Sequence, residues 1–500
     1  MKKIFLSTFF LVVLCANCFA QAKKLHTLIV VFDGLRPDYI TPELMPNVYK
    51  FKQAGAYGAH NHSVFPTVTR VNASAYATGS YPEHSGILGN TIYLPQVQAV
   101  KTLSTGDAAS MQQAADVLHG QLLTAQSLGE ILQAKGERFM VFSSGSTGQA
   151  FFQNHKAENA VIINPELIKP AAMKTEVEQT LGVPPAETLP NTDRHIWVTD
   201  ALMHYALKAD GPLVAAIWYS DPDGAAHETG MGTDMSNSSI RSVDRQFGQI
   251  VATLADRGLQ NDFNILITAD HGFVTYAGKD DLGDFLIAQG LKQSKDSDDV
   301  ILAGGAIYVK DHNPEKIRKI VTTLQAQPWV GAIFTKPQAP HSDLGIIAGT
   351  LSFSAIHWNH PTRAADILVD MNWNDDKNAN GYAGTSFSRG VAGHGSASPY
   401  EIHIPLIAAG PSFKKAYISD LPTANVDLVP TILQLHNMAA PAAMDGRVMN
   451  ELLVKPAMKT QLVAKTDSVT AATAGYKVTL YRTNADGRLY VDYTRVQRKP

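Results

Sequence analysis

L-I-V-V-F-D-G, Leu28 to Gly34, sets the architecture of this chain. Leu28 to Phe32 is an unbroken apolar, β-branched run that stops at Asp33-Gly34. A strand that is apolar on both faces belongs inside a parallel sheet, where helices cover both sides. The C-terminal ends of such strands are where α/β proteins place their chemistry. Two further runs have the same form. Leu213 to Tyr219 leads into S-D-P-D-G-A-A-H-E-T-G, and Phe263 to Thr268 leads into A-D-H-G. Between them, Ile240, Val243, Phe247, Ile250, Val251 and Leu254 recur at helical spacing up to Gly258. Strand, helix, strand, with carboxylates at the strand ends, predicts an α/β sheet with a site along one edge.

The remaining elements fill in around this frame. Asn47 to Ala54 reads as a helix stopped by Gly55, and Ala125 to Lys135 as another, before the strand Phe139 to Ser143. From about Lys156 to Thr192 the chain is rich in Pro, Glu and Thr and reads as an insertion over the sheet. The segment 304–373 reads as a smaller inserted lobe. It contains strand-like runs at Ala306–Val309, Val330–Phe334 and Ile367–Met371, and a helix capped by Asn313 with Pro314 at its first position. The chain returns through G-H-G-S at Gly393 to Ser396, the strand Ile404–Ala409 and the helix Val426–Leu435. Val478–Tyr481 and Leu489–Tyr493, joined through Asn484 to Gly487, read as a terminal β-hairpin within 465–500.

Length and composition narrow the class. Five hundred residues, 45% hydrophobic and 17% charged, suit one large α/β domain with insertions, or two domains. A formal net charge of −3 gives no basic footprint, which argues against nucleic acid as a bulk partner. Lys2 and Lys3 precede an apolar run from Ile4 to Leu14 and small residues at Ala20 and Ala22, the layout of a secretory signal peptide over residues 1–20. The run is too short for a comfortable transmembrane span, and no later segment is long and apolar enough for one. Both cysteines, Cys15 and Cys18, fall inside it, and Cys15-Ala16-Asn17 is a poor context for lipidation of Cys18. Cleavage near Ala20 or Ala22 leaves a chain without thiols, expected to be exported to a periplasm or secreted, whose metals must be held by His and carboxylates.

The stretch F-P-T-V-T-R-V-N-A-S-A-Y-A-T-G, Phe65 to Gly79, puts a hydroxyl, Thr69, just before a run that reads as helical from Arg70 to Thr78. Helix N-termini gather unpaired N–H groups and the positive end of the macrodipole, so a hydroxyl there faces a natural anion site. Thr is also an ordinary N-cap. Asp33, Asp223, His227, Asp270, His271 and His394 all stand at likely strand ends or adjoining loops, and with Thr69 they make seven potential ligands. Each has an everyday reading as turn chemistry, a helix cap or a solvated loop residue. It is their combination that points to a site.

That combination resembles the alkaline phosphatase superfamily, and within it the type I phosphodiesterase/nucleotide pyrophosphatase-like family. The matching pieces are F-D-G-L-R-P-D-Y at Phe32 to Tyr39, P-T-V-T-R-V-N at Pro66 to Asn72 and A-T-G-S-Y-P-E-H-S-G-I-L-G-N at Ala77 to Asn90. D-P-D-G-A-A-H at Asp221 to His227, T-A-D-H-G at Thr268 to Gly272 and G-H-G at Gly393 to Gly395 complete the set. The resemblance implies an alkaline-phosphatase-like three-layer α/β sandwich with a mostly parallel central sheet, spanning about 25–455. It also implies two divalent metal ions, usually zinc. Asp33, Thr69, Asp270 and His271 would hold one, and Asp223, His227 and His394 the other. Mixed Asp/His sets suit zinc, and open coordination positions mark a catalytic site.

The implied reaction is hydrolysis of a phosphodiester or pyrophosphate bond in a small phosphate ester, through a covalent phosphothreonine at Thr69. Zinc lowers the pKa of bound water from about 15.7 to about 7, so a ligated Thr69 needs no histidine base. Asn72, one helical turn on, and the backbone N–H of Arg70 are expected to donate to a phosphate oxygen. Nucleotide-hydrolysing members usually carry an aromatic residue after the nucleophile. Here it is Arg70, whose guanidinium is either a phosphate contact or a solvated side chain. Val71 and Ala73 also replace a Pro and a His commonly seen there. The rival enzyme is a phosphomonoesterase on the same scaffold, since Arg70 suits a doubly charged terminal phosphate. A catalytically silent, metal-stabilised binding protein is the remote alternative. His60, His62, His84, His357, His360 and His403 match no metal position and read as surface or packing residues.

Overall fold

At the centre of the molecule is a nine-stranded sheet, in the order Tyr417–Ala424, Ala56–His62, His403–Ala409, Phe263–Thr268, His26–Phe32, Val214–Tyr219, Phe139–Ser143, Val161–Asn164 and Leu167–Lys169. The computed structural model describes residues 24–456 and 462–499. The His26–Phe32 strand lies parallel between Phe263–Thr268 and Val214–Tyr219. Only His403–Ala409 and the short edge strand Leu167–Lys169 run antiparallel to their neighbours. The sheet is therefore mostly parallel.

The unbroken apolar run of the first strand has a direct cause. Leu28, Val30 and Phe32 enter one core with Val48, Val198, Val243 and Phe247, from the helices Pro46–Ala54, Thr192–Tyr205 and Asp234–Asp256. Ile29 and Val31 enter the opposite core with Ala73, Tyr76, Met111, Phe152 and Ile432. Each such side chain contributes about 1.5–3 kcal/mol of transfer free energy, so both faces must be apolar. Helix, sheet, helix makes the three-layer sandwich.

The long helix starts at Asp234, well before its apolar stripe, because the Thr233 hydroxyl accepts the Ser236 N–H and caps it. The helix expected over Ala125–Lys135 is only Leu128–Gln133, set by a Ser127/Glu130 capping box. The reading of Lys156–Thr192 as an insertion needs correction. Val161–Asn164 inside it is a strand of the central sheet, parallel to Phe139–Ser143, with Ile162 and Ile163 fully buried. Its apolar core is too short to stand out from polar flanks.

A second sheet of five strands, Val300–Ala303, Ala306–Val309, Ile367–Met371, Val330–Thr335 and Leu351–Ser352, forms a lobe backed by the helices Leu282–Ala288 and Pro314–Gln325. Asn313 caps the latter through the Lys316 N–H at 3.0 Å. The terminal segment is a three-stranded antiparallel sheet, Ala464–Ala472, Tyr476–Ala485 and Arg488–Arg498, rather than a hairpin of two strands. Its first strand is largely solvent-facing and carries little apolar signal. Tyr476, Val478, Leu480 and Val491 share a core with Phe334, Phe353 and Trp358 of the lobe region. Tyr490 donates to Asp427 at 3.1 Å, which ties the terminal sheet to the main domain. The expected signal peptide lies outside the described residues, and no described helix is long and apolar enough to cross a membrane.

Candidate active site

Three adjacent parallel strands, Phe263–Thr268, His26–Phe32 and Val214–Tyr219, release Asp270, Asp33 and Asp223 just past their C-terminal ends. The turn after Asp33 depends on glycine. Gly34 has φ +72°, and a Cβ there would stand 3.2 Å from the backbone of Asp223. Its N–H donates to Asp270 Oδ1 at 3.0 Å, as does the N–H of His271 at 3.0 Å. Trp218 Nε1–H donates to Asp33 Oδ2 at 2.9 Å. Asp33 Oδ1, Asp223 Oδ1 and Asp270 Oδ2 are buried with no hydrogen-bond partner among the described residues.

Those three orphaned oxygens face histidine nitrogens. The Nδ1 atoms of His227, His394 and His271 lie 2.9, 2.7 and 3.0 Å from the carbonyl oxygens of Ala392, Thr67 and Gly272. A carbonyl only accepts, so each Nδ1 carries a proton, and each ring, whenever it is neutral, turns its Nε2 lone pair inward. His227 and His394 Nε2 stand 3.2 and 3.3 Å from Asp223 Oδ1, and His271 Nε2 stands 3.0 Å from Asp270 Oδ2 and 3.5 Å from Asp33 Oδ1. Lone pair against carboxylate oxygen repels unless positive charge lies between them. The ligand atoms of Asp33, Asp270 and His271 all lie within 4.8 Å of one another, and so do those of Asp223, His227 and His394. The donor chemistry fits two divalent cations.

The electrostatics point the same way. Burial, then repulsion from Asp270 and Asp223, raises Asp33 well above the usual carboxylate range. Burial also pushes Asp270 up to about 7. Asp223, although buried, is held well below the usual range by His227 and His394, while Asp223 lifts His227 to about 9 against the effect of its own burial. Burial and the neighbouring His271, stacked at 3.4 Å, push His394 down to about 4. Several buried carboxylates in one small volume need compensating positive charge.

Thr69 is the first residue of the helix Thr69–Thr78, and Val68 occupies the cap position. Thr69 therefore does not cap. Its hydroxyl lies 3.4 Å from His271 Nε2. Arg70 is largely buried beside it, among the charges of Asp33, Asp223 and Asp270, with its Nε unpartnered. It belongs to a polar cavity of about 430 Å³ that also includes Asp107, Glu166, Glu187, Asn191 and Arg194, and that has no aromatic ring in its lining. Across the centre, Phe65, Val68, Leu88, Leu368 and Met371 line a more apolar cavity of about 400 Å³ that reaches His394. Two clefts of different character therefore flank the hydroxyl.

The family model described as type I phosphodiesterase / nucleotide pyrophosphatase matches residues 27–375. The chain belongs to this family. Venom phosphodiesterase 2 of Crotalus adamanteus is 26% identical over 263 residues, which is 51% of this chain and 28% of that protein. Ectonucleotide pyrophosphatase/phosphodiesterase family member 3 of Mus musculus is 27% identical over 247 residues, 48% of this chain and 24% of that protein. The match thus spans about a quarter of the length of these curated relatives. Among solved structures, murine ectonucleotide pyrophosphatase/phosphodiesterase 5 has a TM-score of 0.61 at 19% identity, covering 86% of this chain and 100% of that one. The same values hold for its inactive threonine-to-alanine form in complex with AMP. The similarity supports the alkaline-phosphatase-like fold.

One expected site residue stands in a different role. Asn72 Oδ1 accepts the Val64 N–H and the Asn425 amide, both at 2.9 Å, and its Nδ2 donates to Val64 O at 3.1 Å and Val68 O at 3.2 Å. With its amide spent on the backbone, Asn72 is fully buried and has no donor left for a phosphate. The Arg70 N–H is also taken, by Asn90 Oδ1 at 3.0 Å. Asn90 is thus the amide side chain fastened to the start of the Thr69 helix. In the sequence it is only the last residue of the Ala77–Asn90 motif, because nothing local joins positions 20 residues apart. Asn72→Ala is expected to lower the melting temperature, since each buried group it strands costs about 1–3 kcal/mol. Its kcat/KM per folded molecule should stay within a few-fold, and Asn90→Ala should show the reverse pattern. Thermal denaturation and steady-state kinetics on both variants check this.

Proposed function

We propose that this member of the family is an exported, two-metal phosphodiesterase in which Thr69 is the nucleophile. Asp33, Asp270 and His271, with Thr69, would hold one cation, and Asp223, His227 and His394 the other. When bound, such cations supply Lewis-acid stabilisation of the attacking and leaving oxygens, and they acidify a hydroxyl. The chain's own groups do the rest. The helix start presents Thr69 Oγ to the phosphorus, the bond to the leaving ester oxygen breaks, and a phosphothreonine forms. The leaving oxygen departs as an alcohol with the proton that Thr69 gives up, and water then displaces Thr69 Oγ, releasing a phosphate monoester that keeps the other substituent and regenerating the hydroxyl. Asn90 orients a non-bridging phosphate oxygen from its post on the Arg70 N–H.

The observation that carries this reading is the position of the Thr69 hydroxyl, 3.4 Å from His271 Nε2 at the edge of two closed sets of ligand atoms. The pair of clefts favours a diester, which has a substituent to place on each side. The AMP bound to the murine relative's inactive threonine variant supports a nucleotide-sized ligand in the family. The missing aromatic ring in the polar cleft argues against base stacking as the source of specificity here. Export is supported by the N-terminal sequence pattern.

Arg70 favours a second reading, as a phosphomonoesterase, because a half-buried guanidinium whose Nε has no hydrogen-bond partner among the described residues is suited to a terminal dianion. Turnover of aryl phosphate diesters and monoesters by zinc-loaded enzyme separates the two. The diesterase reading predicts the higher kcat/KM on the diester, with Arg70→Ala depressing the monoester reaction by roughly tenfold more than the diester reaction. A strong monoester preference in the unmodified enzyme would replace it with the second reading.

A further inference from the structure

Outside the catalytic centre, His62, His403 and Asp492 converge, with ligand atoms all within 4.8 Å of one another. They come from three elements far apart in sequence. His62 ends the strand Ala56–His62, His403 begins the strand His403–Ala409, and Asp492 lies on the last strand of the terminal sheet, Arg488–Arg498. His62 and His403 are cross-strand partners, with rings 5.0 Å apart. The expectation that these histidines are surface or packing residues does not describe them well. His62 is only 2% exposed, and His403 and Asp492 are half-buried beside it.

The hydrogen bonds repeat the logic of the catalytic histidines. His62 Nδ1–H donates to Thr423 O at 2.8 Å, so the Nε2 of a neutral ring turns its lone pair to Asp492 Oδ1, 2.8 Å away. The other oxygen of Asp492 accepts the Thr483 hydroxyl at 2.9 Å, which fixes the carboxylate. A proton between His62 and Asp492 would reconcile that pair alone. It leaves the half-buried His403 adjacent, with no hydrogen bond to either ring nitrogen among the described residues. A cation reconciles all three.

We propose that His62, His403 and Asp492 form a third divalent-cation site, suited to zinc by its two imidazoles and one carboxylate, with water completing the coordination. The cation clasps the terminal sheet to the central sheet across a long stretch of chain. Its binding free energy becomes stability of that junction. This site is independent of the phosphohydrolase reading, because none of its ligands belongs to the catalytic sets.

The test is zinc per chain, measured by plasma mass spectrometry on full-length protein loaded with zinc and freed of excess. Wild type is expected to carry one zinc more than Asp492→Asn and one more than His403→Ala, with hydrolysis per folded molecule retained in both. The same one-ion difference should persist in an Asp223→Asn background, whatever the catalytic centre holds. Asp492→Asn is nearly isosteric and can still hydrogen-bond His62, so it keeps the test open should His403→Ala fail to fold. Equal zinc in wild type and Asp492→Asn overturns the site.

Discussion

Thr69→Ala should lower kcat/KM on the best diester by roughly 10⁴-fold or more, the scale seen when a nucleophile is deleted from preorganised machinery. The protein should remain folded. Thr69 holds the first helical position, its hydroxyl makes no capping bond, and its one polar side-chain approach among the described residues is that to His271 at 3.4 Å. Removing the hydroxyl therefore strands no buried partner, and Ala is a better helix former than Thr. Circular dichroism and the melting temperature should match wild type closely, and zinc content should stay within one ion of it. Thr69→Ser, which restores a hydroxyl, should recover part of the rate. Turnover by Thr69→Ala within tenfold of wild type would remove Thr69 from the chemistry.

Removing metal should have an effect of comparable size on rate and a separate one on stability. Chelation leaves Asp33, Asp223 and Asp270 facing one another with three unpartnered buried oxygens. An occupied site stabilises the fold by about 4 kcal/mol when free metal is about a thousand times Kd, and chelation forfeits that amount. Turnover should fall to background and the melting temperature should drop by several degrees. Zinc should restore both. Retained activity after chelation would contradict the assignment of Asp33, Asp223, His227, Asp270, His271 and His394 as ligands.

What was readable in the sequence follows from which interactions are local. The three strands that carry Asp33, Asp223 and Asp270 announce themselves, because burial on both faces leaves a continuous apolar run and the aspartates come directly after it. Val161–Asn164 has the same cause but only a four-residue signal, and its polar flanks conceal it. Thr69 looked like a cap because a hydroxyl before a helix usually is one, and only the extended conformation of Val68 assigns the cap elsewhere. Asn72 and Asn90 could not be told apart from spacing. Asn72 lies on the right side of the helix start but its amide is spent on Val64, Val68 and Asn425, contacts that exist only in the folded chain. The His62–His403–Asp492 group was invisible for the same reason, since its members come from three separate elements and His62 lies 430 residues from Asp492.

The proposed covalent phosphothreonine makes a prediction about the phosphorus atom itself. A diester made chiral at phosphorus by sulfur substitution, hydrolysed in isotopically labelled water, reports how many in-line displacements occur. Attack by Thr69 followed by attack by water is two inversions, so the product should show net retention of configuration. Net inversion would mean that water displaces the leaving group in a single step, and would contradict Thr69 as the nucleophile.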